Sequence, residues 1–97
     1  MKKEIIYLIK FDNGIKFGRT KDPTSRLQTY FKPWCRPVIE LYTIETCNSM
    51  YIEKYLKDVY SDNIKEKSYE FITNVEFEQI KVKLFEIISL LKKRHNK

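Results

Sequence analysis

The side chains best suited to chemistry are concentrated in the first 26 residues. Tyr7 lies in an apolar segment, Gly18 is one of only two glycines, and Arg19 and Arg26 follow that glycine. A guanidinium stays charged and presents a planar fork that matches phosphate oxygens. A glycine lets a phosphate or another backbone approach closely, because it has no side chain. This segment therefore indicates a compact site for a phosphodiester.

Each of these residues also has a structural interpretation. Gly18 can be a bulge or turn glycine, and the two arginines can be solvated surface residues. Most strand tyrosines simply pack, and Tyr7 could accept a proton from water only if a nearby cation lowered its pKa. The order and spacing of the residues therefore matter more than any single residue.

Glu53 is the strongest carboxylate candidate. It lies three residues before Leu56 on a predicted helix, so it borders the apolar face and can point toward the sheet. A carboxylate in that position could hold a divalent cation. The alternative is a surface glutamate that pairs with Lys57 one turn later.

The net charge of +6 falls entirely within residues 1–36, which hold nine basic and three acidic residues. A local cationic surface attracts polyanions, although the charge can also serve solubility alone. Two cysteines without Cys-x-x-Cys spacing and a single histidine make a structural zinc site a poor interpretation and favour a reduced, intracellular setting. No apolar run approaches the length of about 18 residues typical of a membrane span, so we expect no membrane partner.

The elements that must position these residues begin with a hairpin. Residues 4–11 and 15–18 have the pattern of two strands, and Asn13-Gly14 is a strong turn signal. With Asn13 and Gly14 as the loop, Phe11 would pair with Lys16. Because side chains alternate along a strand, one face would then carry the following residues: Tyr7, Ile9, Phe11, Lys16 and Gly18.

The rest of the chain predicts an α+β fold, with a small, mainly antiparallel three-stranded sheet flanked by helices. Asp22-Pro23 predicts a helix start, and Thr73 to Glu76 have the pattern of a capping box. The further predicted elements are a strand over 38–46, a helix from 48 or 49 to about 60, a short extended segment over 69–72, and a C-terminal amphipathic helix over 74–94 of a single domain spanning 1–97. Tyr30, Phe31 and Trp34 could stack on bases or pack in the core or a loop.

Together, these motifs resemble those of the GIY-YIG nuclease superfamily, and in particular its phage-type branch. Ile5-Ile6-Tyr7 is similar to the Gly-Ile-Tyr element, and Lys16-Phe17-Gly18 is similar to the Tyr-Ile-Gly element. Arg26 stands at the family's spacing from the glycine. The resemblance covers roughly residues 4–72 and also includes Ile52-Glu53-Lys54 and Tyr69-Glu70-Phe71. Ile5 replaces the family's first glycine, and Lys16 replaces a tyrosine, as it does in phage-type and some restriction-enzyme members.

The resemblance implies a metal-dependent endonuclease that hydrolyses DNA phosphodiester bonds with Mg²⁺ or Mn²⁺. Glu53 would hold the metal, Tyr7 aided by Lys16 would position and deprotonate the attacking water, and Arg26 would bind the scissile phosphate. Further DNA phosphate contacts would come from Gly18, Arg19 and Lys21. The protein would act inside a cell, for example the host cell of a phage or virus, as a monomer or homodimer.

Two other functions stay open from the sequence. One is a nucleic-acid-binding module on the same fold with weakened catalysis, which the lysine at position 16 keeps open. The other is a small interaction protein whose basic face binds an acidic partner. The sequence also leaves open whether the substrate is site-specific duplex DNA, a branched structure or RNA.

Overall fold

A computed structural model describes residues 3–64 and 70–95 and shows an α+β fold, as predicted. Four strands form one antiparallel sheet in the order β3-β1-β2-β4, with helices packed against it. The elements are β1 (Glu4–Phe11), β2 (Gly14–Thr20), α1 (Pro23–Gln28), β3 (Glu40–Thr46), α2 (Ser49–Val59), a 3₁₀ turn (Ser61–Asn63), β4 (Phe71–Ile72) and α3 (Phe77–His95). The extended segment predicted over 69–72 supplies β4, which adds a fourth strand to the three expected; Tyr69 lies outside the described residues.

The hairpin turns one residue earlier than predicted. Asp12 and Asn13 form the turn, and Gly14 already pairs with Phe11 in the ladder. Lys16 therefore pairs with Ile9, a shift of two residues from the expected register. An even shift keeps each side chain on its predicted face, so Lys16 still lies on the same face as Tyr7 but closer to it.

A close approach of β4 explains why glycine is needed at position 14. Gly14 has φ 154°, and a Cβ atom there would overlap the Phe71 ring and lie 2.8 Å from the Ile72 carbonyl oxygen. A side chain at this position would therefore collide with β4. The glycine thus serves strand pairing and not the turn that the Asn-Gly signal predicts.

One face of the sheet holds the main core. Ile6, Leu8, Ile15 and Phe17 are all buried there, and they belong to one apolar cluster with residues of α2 and α3. The helices contribute residues at helical spacing, which explains why both are amphipathic: Ile52 and Leu56 from α2, and Phe77, Ile80, Leu84, Ile87 and Ile88 from α3. This packing fixes which side of α2 faces the sheet.

The opposite face carries Tyr7 and Ile9, which are also buried. Tyr30, just after α1, contacts this face, with its ring centroid 6.1 Å from that of Tyr7 and 6.3 Å from that of Phe11. Helix α1 starts as predicted, because the Asp22 carboxylate accepts a hydrogen bond of 3.2 Å from the Ser25 amide. The helix and the segment after it therefore bring Tyr30 onto the sheet.

The predicted capping box at Thr73 is wrong. Helix α3 begins at Phe77, three residues later than expected, and Asn74 adopts a left-handed φ of 63°. The Thr73 hydroxyl donates to the Asn63 carbonyl oxygen at 3.2 Å, and the Asn63 amide donates to the Thr73 carbonyl oxygen at 3.0 Å. Thr73 thus anchors β4 to the 3₁₀ turn, so it cannot cap the helix.

The structure also bears on the membrane and on the two cysteines. Among residues 3–64 and 70–95, no helix combines the length and the apolar character that crossing a membrane requires. Cys35 and Cys47 are both free thiols.

Replacing Gly14 by alanine should destabilise the fold by about 1–3 kcal/mol, because the new methyl group collides with β4 and the backbone φ disfavours a side chain. Urea denaturation followed by circular dichroism measures this change. Asn13→Ala in the adjoining turn is the control and should change stability by less than about 0.5 kcal/mol. Equal stability of the wild type and Gly14→Ala would contradict this account of the β2–β4 contact.

Candidate active site

Five residues proposed from the sequence line one cavity. It has a volume of about 330 Å³, and its walls are formed by Tyr7, Lys16, Arg19, Arg26, Glu53 and Glu70. The cavity lies along the edge of the sheet formed by β2. On this edge β4 is short and pairs with only Ile15 and Lys16 of β2. Strands β1 and β2 and helices α1 and α2 each contribute at least one of these residues, so folding gathers groups that are distant in sequence.

Tyr7 reaches the cavity by lying across Gly18. The two residues pair directly in the β1–β2 ladder. A Cβ atom on Gly18 would be 2.5 Å from the phenol oxygen of Tyr7 and 2.7 Å from its Cζ atom. The sequence suggested that Gly18 makes room for a phosphate or a backbone, but the space above it is filled by the phenol ring.

The pKa of Tyr7 is raised above the ordinary value for a tyrosine. Burial is the main cause, followed by the Tyr30 hydroxyl 3.4 Å away, while the charge of Arg26 acts in the opposite direction. The charge of Arg26 does lower this pKa, but the loss of solvation outweighs that attraction, so the net shift is upward. The phenol is neutral at physiological pH.

Glu53 lies beside an arginine that is held from two sides. The Glu53 Oε1 atom is 3.7 Å from Arg19 Nε, and Arg19 Nη1 donates to Glu4 Oε1 at 3.3 Å. The Ser49 hydroxyl also donates to that Glu4 oxygen. Two carboxylates, one on β1 and one on α2, thus flank Arg19, with the Glu4 carboxylate held in turn by Ser49, and Glu53 is not the surface partner of Lys57.

The pKa of Glu53 is raised above its usual value. Its side chain is only 18% exposed, and burial is the largest cause, followed by the negative charge of Glu70. The charges of Lys57, Arg19 and Lys16 counteract these two effects without cancelling them. The site therefore holds a carboxylate whose negative charge is incompletely compensated by its neighbours.

Glu70 is the lining residue that was not predicted from the sequence as a site residue. Its carboxylate accepts from Lys16 Nζ at 3.2 Å and lies 3.3 Å from Lys57 Nζ. Its backbone carbonyl also accepts from the Phe17 amide at 2.9 Å, which fixes it against β2. Its position within the Tyr69-Glu70-Phe71 motif was the only signal in the sequence that could have indicated this role.

Arg26 and Lys21 differ in their surroundings. Arg26 is exposed on α1 and lines the cavity, and within the described part of the chain it makes no ion pair. Lys21 is exposed outside the cavity, where its charge helps to lower the pKa of Glu4. Of the three predicted phosphate contacts, Arg19 lines the cavity, Gly18 lies beneath Tyr7, and Lys21 stands apart.

The donor atoms of the cavity fit a magnesium or manganese ion that relies on its substrate for further ligands. Glu53 and Glu70 supply the carboxylates, and residues 3–64 and 70–95 contain no cluster of three or more metal-ligating side chains. Mg²⁺ in phosphoryl-transfer sites is usually held by one or two carboxylates together with phosphate oxygens and water. A cation here would also relieve the repulsion that raises the pKa of Glu53.

A larger cavity of about 470 Å³ lies between the β1–β2 turn and the segment before α3. Its ionisable lining residues are Lys10, Asp12 and Glu76. Of these two cavities the smaller is the better candidate for chemistry, because it combines several cations with half-buried carboxylates and a phenol.

No family model, curated protein or solved structure matches this chain. The functional interpretation therefore rests on the cavity and on the sequence motifs.

We predict that Gly18→Ala destabilises the protein by about 1–3 kcal/mol, since the added methyl group overlaps the Tyr7 ring. The cost should largely disappear in a Tyr7→Leu background and persist in Tyr7→Phe, which keeps the ring. Chemical denaturation of the double-mutant cycle measures this coupling. A cost that is the same in all three backgrounds would show that the ring does not need the glycine.

The raised pKa of Glu53 predicts a pH-dependent stability. A carboxyl whose pKa is higher in the folded state than in the unfolded state lowers the stability progressively as pH rises from the unfolded-state pKa to the folded-state pKa. Below the unfolded-state pKa it has no effect on stability. Glu53→Gln should therefore be more stable than the wild type near pH 7, and the difference should vanish below about pH 4. Urea denaturation at several pH values tests this. A wild type more stable than the variant at neutral pH would contradict the sign of the shift.

Proposed function

We propose that this protein is a metal-dependent endonuclease that hydrolyses DNA phosphodiester bonds by a GIY-YIG-type mechanism. The observation that supports the proposal best is the single cavity that joins the phenol of Tyr7, the exposed guanidinium of Arg26 and the helix-borne carboxylate of Glu53. The sequence resemblance names these same residues. As a DNA enzyme, the protein would act inside a cell, as a monomer or homodimer.

Arg26 is the residue best placed to bind the scissile phosphate. It is exposed at the cavity and has no ion-pair partner among the described residues, so binding would not require an existing pair to break. Its planar fork can bind two phosphate oxygens and offset the charge that develops in the transition state. Arg19 would contribute from the cavity wall while it also holds Glu53.

Tyr7 would orient the attacking water through its phenol oxygen. Because its pKa is raised, the phenol enters the reaction neutral and accepts a hydrogen bond from the water. Once the phenol proton is lost to solvent, which the charge of Arg26 favours, the phenolate would accept the proton of the attacking water; Lys16 lies on the same face of the sheet. Glu53 would hold the metal, which when bound would stabilise the departing 3′ oxygen.

The binding module with weakened catalysis is the second candidate. Its support is that Lys16 is paired with Glu70, that Arg19 is paired with Glu4 and that the pKa of Tyr7 is raised. In such a module, the cations that have no ion-pair partner among the described residues would bind nucleic acid, and no group would activate water. Such a protein would bind DNA in a salt-sensitive manner and leave it uncut.

Incubation of supercoiled plasmid with the protein and Mg²⁺ tests the proposal. The wild type should produce nicked or linear DNA, and Glu53→Ala and Arg26→Ala should each be at least about a hundredfold slower, because each loses a transition-state contact. Gel electrophoresis over time gives the rates. Chelation of the metal by EDTA should abolish cutting by the wild type.

Glu78→Ala is the matched control for Glu53→Ala, because Glu78 lies on α3 with its side chain 72% exposed and outside the cavity. It should cut at the wild-type rate. Equal trace activity in the wild type and Glu53→Ala would refute the nuclease proposal. Salt-sensitive DNA binding in that case would support the binding module.

A further inference from the structure

The segment between α1 and β3, residues 29–39, presents two large aromatic side chains to solvent. We refer to it as the aromatic loop. Trp34 is 81% exposed and Phe31 is 56% exposed, so neither belongs to the buried core. The two residues are three positions apart in one short segment, and exposed apolar surface that is clustered marks interaction sites. Only Tyr30, which contacts Tyr7, packs as a structural residue.

The aromatic loop is held in place by hydrogen bonds at several points. The Cys35 amide and thiol donate to the carbonyl oxygens of Lys32 and Thr29, at 3.0 and 3.2 Å. Arg36 Nη1 donates to both carboxylate oxygens of Asp12 at 2.9 and 3.1 Å. The exposed rings therefore stand on a fixed base, which lowers the entropy lost when a ligand binds.

The loop is adjacent to the candidate active site. Tyr30, its second residue, lies 3.4 Å, hydroxyl to hydroxyl, from Tyr7 in the cavity. Trp34 follows four residues later, so its Cα atom lies within about 14 Å of that of Tyr30. This separation is short enough for one bound strand to contact both the cavity and Trp34.

The charge of this region indicates what kind of partner it fits. Residues 23–39 contain three basic and no acidic residues; Arg36 is paired with Asp12, and Arg26 and Lys32 are exposed. Basic groups that follow a phosphate backbone, combined with aromatic rings on which bases stack, are the features by which proteins bind single-stranded nucleic acid. A base inside a duplex is already stacked and paired, so an exposed indole can stack fully only on an unpaired base.

We propose that Trp34, supported by Phe31, stacks on an unpaired base close to the scissile phosphate. The substrate class of the proposed nuclease would then be nucleic acid with a single-stranded segment at or next to the cut, such as a flap, a bulge or a loop. This inference rests on the proposed nuclease function, because only a nuclease has a scissile phosphate. Base stacking on Trp34 can nevertheless be tested without cleavage.

Trp34 is the only tryptophan in the chain, so its intrinsic fluorescence reports on this site alone. Wild-type protein in EDTA is titrated with a single-stranded thymidine oligonucleotide and, separately, with a blunt duplex of the same length. Saturation with the single strand should quench Trp34 fluorescence, whereas the duplex should change it little. Fluorescence anisotropy of a labelled oligonucleotide measures affinity independently.

Trp34→Ala should weaken single-strand binding about five- to a hundredfold and change duplex binding no more than about twofold. Trp34→Phe should recover most of the lost affinity, because a smaller ring still stacks. Phe85→Ala is the matched control: Phe85 is a 61% exposed aromatic residue on α3, outside the aromatic loop, and its loss should leave both affinities unchanged.

The inference is overturned if the single strand binds by anisotropy without changing the fluorescence, if Trp34→Ala weakens both ligands equally, or if no single strand binds. Plasmid cleavage is measured separately and distinguishes the two proposals. Metal-dependent cutting together with any of these results refutes only the stacking site. Quenching and selective loss in Trp34→Ala without any cutting support the stacking site and refute the nuclease.

Discussion

The site depends on the contact between Tyr7 and Gly18 across the β1–β2 ladder. Because position 18 lacks a Cβ atom, the phenol ring can lie over β2 and carry its hydroxyl into the cavity. Gly14 accommodates the Phe71 ring in the same way, so both glycines of the chain lie in β2 and each faces an aromatic side chain. The two glycines thus allow close packing along β2, because the Tyr7 phenol lies against Gly18 and β4 lies against Gly14.

The charges around the cavity form two chains of alternating sign. Glu4, Arg19 and Glu53 form one, and Lys16, Glu70 and Lys57 form the other. Half-buried ions need such partners, because burial disfavours the charged form of each group. The compensation is incomplete at Glu53, whose pKa stays raised although three cations surround it. This imbalance is a property of the site that a surface glutamate would not have.

Local signals in the sequence predicted the order of elements, the start of α1 at Asp22, the buried side of α2 and the sheet face that carries Tyr7 and Lys16. The errors arose where distant segments decide the outcome. The turn lies one residue earlier than predicted, where β4 packs against Gly14. Thr73 does not cap α3, because its hydroxyl donates to the carbonyl oxygen of Asn63, ten residues earlier in the sequence. The raised pKa of Tyr7 could not be predicted either, since it follows from burial. The gathering of Glu53 and Arg26 in one cavity agrees with the motif spacing, whereas their catalytic roles stay proposals.

The distribution of charge within the site also bears on how a polyanion would approach it. The cavity walls hold three cations and two carboxylates, so the cavity itself is close to neutral. Glu53 and Glu70 are mostly buried, while Arg26 is exposed on the side of α1, next to a segment with no acidic residue. For the proposed nucleic-acid substrate, the exposed charge of Arg26, which has no ion-pair partner among the described residues, favours entry from the α1 side. A strand entering from that side would meet the aromatic loop and Arg26 before it reached Tyr7, so binding and chemistry would occupy successive parts of one continuous surface.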